Sequence, residues 1–415
     1  MVYKVIGLMS GSSLDGLDIA YVHLQERVGG TQERVGGTQE RVGGIQERVG
    51  PSQQAPRVWD FQLVHTDCFA YSRGWRERLA GATGLSALEY QFLHTDYGHF
   101  LGREVLRFIA AHGLDYQVQL IASHGHTTFH YPGGRMMTAQ LGDGAARMIG
   151  DGSRGMTAQL GDGAAIAAET RINVVSDLRA MDVALGGQGA PIVPIGERLL
   201  FPEYGAFLNL GGIANVSLGA SAFDVAPANR VLNALAGKAG LEYDRDGLLA
   251  AAGSLDEAVL GRLDALPYYG MGYPKSLAND FGLVEVLPLV EGARLSVEDG
   301  LRTYVEHLVG QIGRAVEILG GAGDAGERGV GSPVKMLVTG GGAHNGFLIG
   351  RLRARLAELG VEVVVPDAAI VDYKEALVMA LIGVLRWREE NNVLASVTGA
   401  SRDSIGGAVW IGQEV

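Results

Sequence analysis

Two acids and one base share a short stretch bounded by glycines: Asp177, Arg179 and Asp182 within Ser176-Asp177-Leu178-Arg179-Ala180-Met181-Asp182-Val183-Ala184-Leu185-Gly186-Gly187-Gln188-Gly189-Ala190-Pro191. A carboxylate set beside glycines can take a proton from an attacking hydroxyl or water, and Asp182 is the candidate for that work. Arg179 carries a planar fork that can hold a carboxylate or a phosphate. The same residue types also suit a salt-bridged loop, so this spacing alone leaves both readings open.

Three glycine-rich turns each follow an apolar run. They are Ser10-Gly11-Ser12-Ser13-Leu14-Asp15-Gly16-Leu17-Asp18, then Asn209-Leu210-Gly211-Gly212-Ile213-Ala214-Asn215, then Thr339-Gly340-Gly341-Gly342-Ala343-His344-Asn345. Glycine lets a backbone approach a ligand and aim successive N–H groups at phosphate oxygens. Ser12 and Ser13 add hydroxyl donors. Asp15 and Asp18 offer oxygens to Mg²⁺, which prefers carboxylates and water and travels with nucleotide phosphates. The third turn opens a helix, so its amides also carry the positive end of a dipole.

Competing phosphate motifs do not fit. No G-x-x-x-x-G-K-[ST] occurs, and the formal G-x-G-x-x-G match at Gly321–Gly326 lies after a helix and before a strand, where a dinucleotide fold would not use it. Three histidines in Ser123-His124-Gly125-His126-Thr127-Thr128-Phe129-His130 lack the H-E-x-x-H spacing of a metal site and read as structural or substrate-contacting groups. The single cysteine, Cys68, reads as a buried structural thiol in a strand, with a nucleophilic role as the alternative.

The elements that must position these groups follow from patterning. Residues 2–9 and Ile19–Leu24 are strands flanking the first turn. A helix is expected over Leu85–His112. Strands are expected near Leu120–Ser123, Ile172–Ser176, Ala206–Leu210, Val334–Val338 and Val361–Val365. Helices are expected over Ala164–Thr170, Val297–Leu319, Asn345–Leu359 and Lys374–Arg388. Strands alternating with helices point to α/β layers. With 415 residues the chain is long enough for roughly two or three domains, and 47% hydrophobic content lets sizeable cores be buried.

The formal net charge of −12 excludes a broad basic surface for nucleic acid. The first residues show no charged lead and no long apolar region, so no signal peptide is expected. The longest apolar run, Ala376–Leu385, is far short of the ~20 residues a membrane helix needs. One cysteine suits a reducing compartment.

Two repeats interrupt the pattern. Gln25-Glu26-Arg27-Val28-Gly29-Gly30-Thr31 recurs to residue 50; one apolar residue and two glycines per heptad rule out a coiled coil and suggest a solvated hairpin extension. Met137–Ala146 reappears verbatim at Met156–Ala165. The second copy runs directly into a helix and strand, so it is expected to hold the structural position.

The chain resembles the anhydro-N-acetylmuramic acid kinases. Met9-Ser10-Gly11-Ser12-Ser13-Leu14-Asp15-Gly16-Leu17-Asp18 is similar to their opening M-S-G-T-S-x-D-G-x-D. The likeness continues in order through Ser123-His124-Gly125, Gln159-Leu160-Gly161-Asp162, Asp182-Val183-Ala184, Gly186–Pro191, Asn209–Ser217, Asp244-Arg245-Asp246-Gly247, Pro274-Lys275-Ser276, Gly340–Asn345 and Val397-Thr398-Gly399-Ala400. It departs from the family pattern at Ser12, His126, Leu178, Ala226 and Ala228.

The resemblance implies two actin-like (ribonuclease H-like) α/β domains facing each other across an ATP and sugar cleft. The expected division is 1–135 plus 388–415, carrying the repeat insertion at 25–50, and 136–387, carrying the duplicated loop at 137–165. It also implies ATP with Mg²⁺, transfer of phosphate to O6 of 1,6-anhydro-N-acetylmuramic acid, and opening of the anhydro ring by water. Asp182 matches the family's general base. Gly11, Ser12, Ser13, Leu14, Asp15, Gly16, Leu17 and Asp18 match its phosphate segment, joined by Asn209, Gly211, Gly212, Asn215, Gly340, Gly341 and Gly342. Arg179, His124, Gln159, Asp162 and Glu375 are the expected sugar-side residues, and Asp15 the expected Mg²⁺ ligand. A cytoplasmic enzyme is expected, with a small amino sugar and ATP as partners, no nucleic acid and no membrane, and a homodimer compatible. The alternatives are a kinase of the same fold acting on another amino sugar without ring hydrolysis, and a non-catalytic ATP-binding protein.

Overall fold

The computed structural model describes residues 1–11, 14–27, 57–131, 137–140, 146–150, 155–219, 221–272, 275–277, 280–322 and 333–412. The heptad repeat beyond Arg27, Ser12 and Ser13, and most of the Gly321–Gly326 loop lie outside these residues.

Fifteen strands are described: β1 (Val2–Ser10), β2 (Gly16–Arg27), β3 (Val58–Ala70), β4 (Leu120–Ser123), β5 (His126–Tyr131), β6 (Met137–Gln140), β7 (Ala146–Gly150), β8 (Met156–Leu160), β9 (Val174–Ser176), β10 (Ala206–Leu210), β11 (Ile213–Leu218), β12 (Ser221–Pro227), β13 (Val334–Thr339), β14 (Val361–Val364) and β15 (Ala408–Trp410). They make two main sheets. The first runs β15-β9-β4-β1-β2-β3 and the second β12-β11-β10-β13-β14.

The two sheets share one plan. In the first, β1 pairs antiparallel with β2 and parallel with β4, and β2 pairs antiparallel with β3. In the second, β10 pairs antiparallel with β11 and parallel with β13, and β11 pairs antiparallel with β12. Each sheet therefore opens with a meander whose first turn is glycine-rich, then adds parallel strands through helical crossovers. This doubled plan is the architecture expected of two actin-like units.

Val174–Ser176, which the expected division places within 136–387, hydrogen-bonds parallel to β4 in the first sheet. The last strand, β15, closes the same edge antiparallel to β9. Strand partners depend on long-range pairing, which local patterning does not reveal.

The helix Ala368–Trp387 ties the two units together. It is buried almost all round from Ala376 to Leu385, which is the pattern of a helix packed on more than one side. It packs on β1, β2 and β4 of the first sheet and on β13 of the second. One core cluster accordingly holds Val5 and Ala20 from one sheet, Phe207 and Leu337 from the other, and Leu377 and Leu381 from this helix. Gly7 makes the close approach possible, since a Cβ there would collide with the Ala376 carbonyl.

This helix starts six residues before the expected Lys374. Asp367 caps it by accepting a hydrogen bond from Ile370 N at 3.0 Å, as a short acid at a helix start does. The earlier start makes Asp372 and Glu375 helical and places them three apart on one face.

Between Glu375 and the core lies a buried ion pair. Lys374 Nζ donates to Glu197 Oε1 at 2.7 Å, with the two side chains only 3% and 7% exposed. Ser217 Oγ, on β11, donates to the other Glu197 oxygen at 2.7 Å.

The duplicated segment is sorted by pairing. The second copy supplies β8, which pairs antiparallel with β5, and Asp162 then caps the helix Gly163–Thr170. The first copy supplies β6, which pairs only with β7 among the described residues. The duplication therefore lies between the two strands of the β5–β8 pair.

Candidate active site

The glycine turns come together through asparagines. Asn229 Nδ2 donates to Leu210 O at 2.9 Å, and the Asn229 amide donates to Gly211 O at 3.1 Å. Gly340 has φ 82° and donates its N–H to Val371 O at 3.0 Å. A side chain there would strike the Asn209 amide group, so glycine is required both by the left-handed backbone and by the neighbouring turn. Asn209 Nδ2 in turn donates to Glu375 Oε1 at 3.2 Å. The second and third turns thus meet beside the acidic face of the central helix. Asn215, paired with Asn209 across the β10–β11 ladder, is exposed.

The first turn reaches the same helix face by charge. Asp18 sits on β2 opposite Cys68. Burial pushes its carboxyl up to about 6, and the charges of Glu375, Asp372 and Asp15 add to that rise, while a hydrogen bond with Cys68 opposes it. Cys68 is exposed on β3, not buried as its sequence context suggests, and its thiol hydrogen-bonds with Asp18. Partial desolvation and the Asp18 charge push the thiol up to about 12, which leaves it a poor nucleophile.

Crowded carboxylates of this kind suit a cation. Among the described residues no three His, Cys, Asp or Glu side chains could hold a metal by themselves. The donor set fits an ion that brings oxygens with it, as Mg²⁺ on a nucleotide does.

The linkage has a definite sign. A carboxyl whose folded value lies above its usual 3.8 contributes stability fully present below pH ~4 and lost as pH rises through about 6. Asp18→Asn is expected to raise the neutral-pH stability of the nucleotide-free protein by about 3 kcal/mol. The variant should also flatten the stability profile between pH 4 and 6. Denaturant unfolding of both proteins across that range checks this; parallel profiles would refute it.

Asp182 occupies the other side of the site. It lies in the short helix Ala180–Ala184 that follows β9 and is 0% exposed. Gly189 N donates to its Oδ2 at 2.7 Å, and Thr398 Oγ1 donates to its Oδ1 at 2.6 Å. Arg179, one turn earlier, donates through Nη1 to Gly189 O at 2.6 Å and through Nε to His124 Nε2 at 2.8 Å. One residue, Gly189, thus links the guanidinium to the carboxylate.

His124 is locked as a neutral acceptor. Its Nδ1 lies 2.8 Å from Gly125 O and must carry the proton, because a carbonyl only accepts; Nε2 then receives the Arg179 N–H. Burial and the Arg179 charge hold the ring down at about 3. Burial also lowers Arg179 to about 10, against the favourable charges of Glu375 and Asp182. Burial raises Glu375, opposed by Lys374 and Arg179.

Arg179, Asp182, His124 and Glu375 are therefore brought within mutual influence, with Asn209, Gly340 and Asp18 reached through Glu375. The two other sugar-side candidates have local partners. Asp162 Oδ1 accepts from Ala164 N at 2.9 Å as a helix cap. Gln159 is buried and donates to Thr157 at 2.8 Å. The three histidines do not share a centre: His126 faces Ser10 at 3.5 Å, and His130 faces Thr157 at 3.1 Å. Sequence reasoning assigned no role to Thr398 or Glu197, whose partners lie 216 and 177 positions away.

Two α/β sheets of one plan, with glycine turns meeting beside Glu375 and Arg179 and Asp182 joined through Gly189, match the class of a two-unit kinase. The family described as anhydro-N-acetylmuramic acid kinase matches residues 57–412. The chain belongs to that family and is a phosphotransferase. Relatives named anhydro-N-acetylmuramic acid kinase include one from Gloeobacter violaceus, 34% identical, covering 96% of each chain. Another, from Vibrio parahaemolyticus, is 31% identical, covering 96% of this chain and 95% of its own. Among solved structures, a ROK family glucokinase from Streptomyces griseus in complex with glucose and AMPPNP is similar at a TM-score of 0.38 and 11% identity, over 92% of this chain and 99% of that one.

Proposed function

We propose that this chain uses ATP to phosphorylate O6 of 1,6-anhydro-N-acetylmuramic acid while water opens the anhydro bridge, giving N-acetylmuramic acid 6-phosphate in the cytoplasm. The observation that carries the reading is the Asp182 carboxylate, held by one hydrogen bond on each oxygen beside Arg179. Each oxygen keeps a lone pair that can accept a proton.

The steps balance simply. Asp182 takes a proton from water as the water oxygen bonds to C1. The C1–O6 bond breaks, and its electrons stay on O6. O6 attacks the γ-phosphorus, and ADP leaves. Family membership supports the substrate, and the meeting of the second and third glycine turns beside Glu375 supports the phosphate side. Phosphoryl transfer asks the protein for positioning and charge stabilisation rather than covalent help. Asp15 and Asp18 would hold Mg²⁺ together with the nucleotide, and that ion would neutralise phosphate charge.

The first unit would comprise the β1–β4, β9 and β15 sheet with its helices, and the second the β10–β14 sheet, with Ala368–Trp387 between them.

Turnover in water enriched in ¹⁸O tests the reaction. Label at C1 of a 6-phosphorylated product, formed with the anhydro sugar and ATP, is the expected result. Phosphorylation with the ring intact, or turnover only on free N-acetylmuramic acid or N-acetylglucosamine, would overturn it in favour of a kinase without hydrolysis.

A further inference from the structure

The loop carrying Asp182 is stitched to the end of the chain. Gln188 N donates to Thr398 O at 2.9 Å, Ser401 N donates to Leu185 O at 3.1 Å, and Thr398 Oγ1 donates to Asp182 Oδ1 at 2.6 Å. Thr398 is 1% exposed, so this bond forms away from water. Its direction is set locally. Ala400 N points at Thr398 Oγ1 at 3.4 Å, which uses the hydroxyl oxygen as acceptor. The hydroxyl proton then chooses between Asp182 and the Leu394 carbonyl at 3.3 Å. The charged acceptor at 2.6 Å is the stronger partner.

We propose that Thr398 is a positioning residue for the reaction: its hydroxyl orients the Asp182 carboxylate for proton transfer. The inference rests on the reading of Asp182 as that base. Gly189 N and Thr398 Oγ1 together occupy one acceptor site on each oxygen, which stops rotation about the Cβ–Cγ bond. Gly187 leaves room for this arrangement, since a Cβ there would collide with the carboxylate itself.

The test compares Thr398→Val, which keeps the shape and loses the hydroxyl, with Thr398→Ser, which keeps the hydroxyl. Thr398→Val is expected to lower kcat by about 10- to 100-fold with KM for ATP unchanged. KM for the sugar should also stay unchanged, because the hydroxyl acts on the base and not on the bound sugar. Thr398→Ser should restore kcat. A wild-type rate in Thr398→Val overturns the proposal. So does a rate loss that Thr398→Ser fails to rescue or that comes with a raised KM, because a merely structural role would disturb binding as well. If Thr398→Val does not fold, Thr398→Ala is measured in its place, and failure of both to fold assigns the residue to structure alone. Asp182→Asn, assayed alongside, separates the two ideas. Activity in Asp182→Asn sinks the base reading itself, whereas a dead Asp182→Asn with a wild-type rate in Thr398→Val sinks only the role of Thr398.

Discussion

Asp182→Asn is expected to lower turnover by about 10²- to 10⁴-fold, the range that a positioned general base contributes. The nucleotide should still bind, because Asp182 bonds to Gly189 and Thr398, while the second and third glycine turns are joined through Asn209 and Asn229. Folding should survive as well. The oxygen of the introduced amide can accept the Gly189 N–H while its NH₂ group faces Thr398, whose hydroxyl turns to accept instead of donate. The change removes a proton acceptor while keeping volume and two hydrogen bonds. Single-turnover rates, with calorimetric titration of nucleotide, measure the two halves of the statement. A rate within tenfold of wild type would end the base assignment; loss of nucleotide binding would mean that the loop supports the phosphate side too.

The second large effect concerns stability. Lys374→Met is expected to cost about 3–5 kcal/mol, because it strands the Glu197 carboxylate in the interior with only Ser217 as a donor. Lys374→Met combined with Glu197→Gln should recover most of that loss, since the neutral amide can still accept from Ser217 and no buried charge remains. Denaturant midpoints for the two single variants and the double variant form the test. A Lys374→Met variant within about 1 kcal/mol of wild type would show that the pair is not needed. The pair also bears on the site. Lys374 is among the charges that favour ionised Glu375, so losing it should protonate Glu375 more readily and weaken its hold on Asn209.

The layers and most elements were readable from periodicity. The strands Leu120–Ser123 and Ala206–Leu210 match the expected limits, and the helix expected at Leu85–His112 begins two residues later because Ser86 and Glu89 form a capping box. These are local effects: side-chain alternation, caps and glycine turns act over a few residues. The start of the central helix was less visible. Its first turns, Ala368 to Tyr373, carry a mixed pattern, and only the Asp367 cap reveals them.

The sequence by itself determined the three glycine turns, the Arg179 and Asp182 pair, and the family resemblance, because each rests on residue types within a short window. Tertiary structure alone decided three matters. It put β9 into the first sheet, it buried Lys374 against Glu197, and it brought Thr398 onto Asp182. Each is a contact between segments far apart in the chain. Such contacts form only when the cores of both units are packed, and their selection depends on the free energy of the whole fold rather than on any local preference.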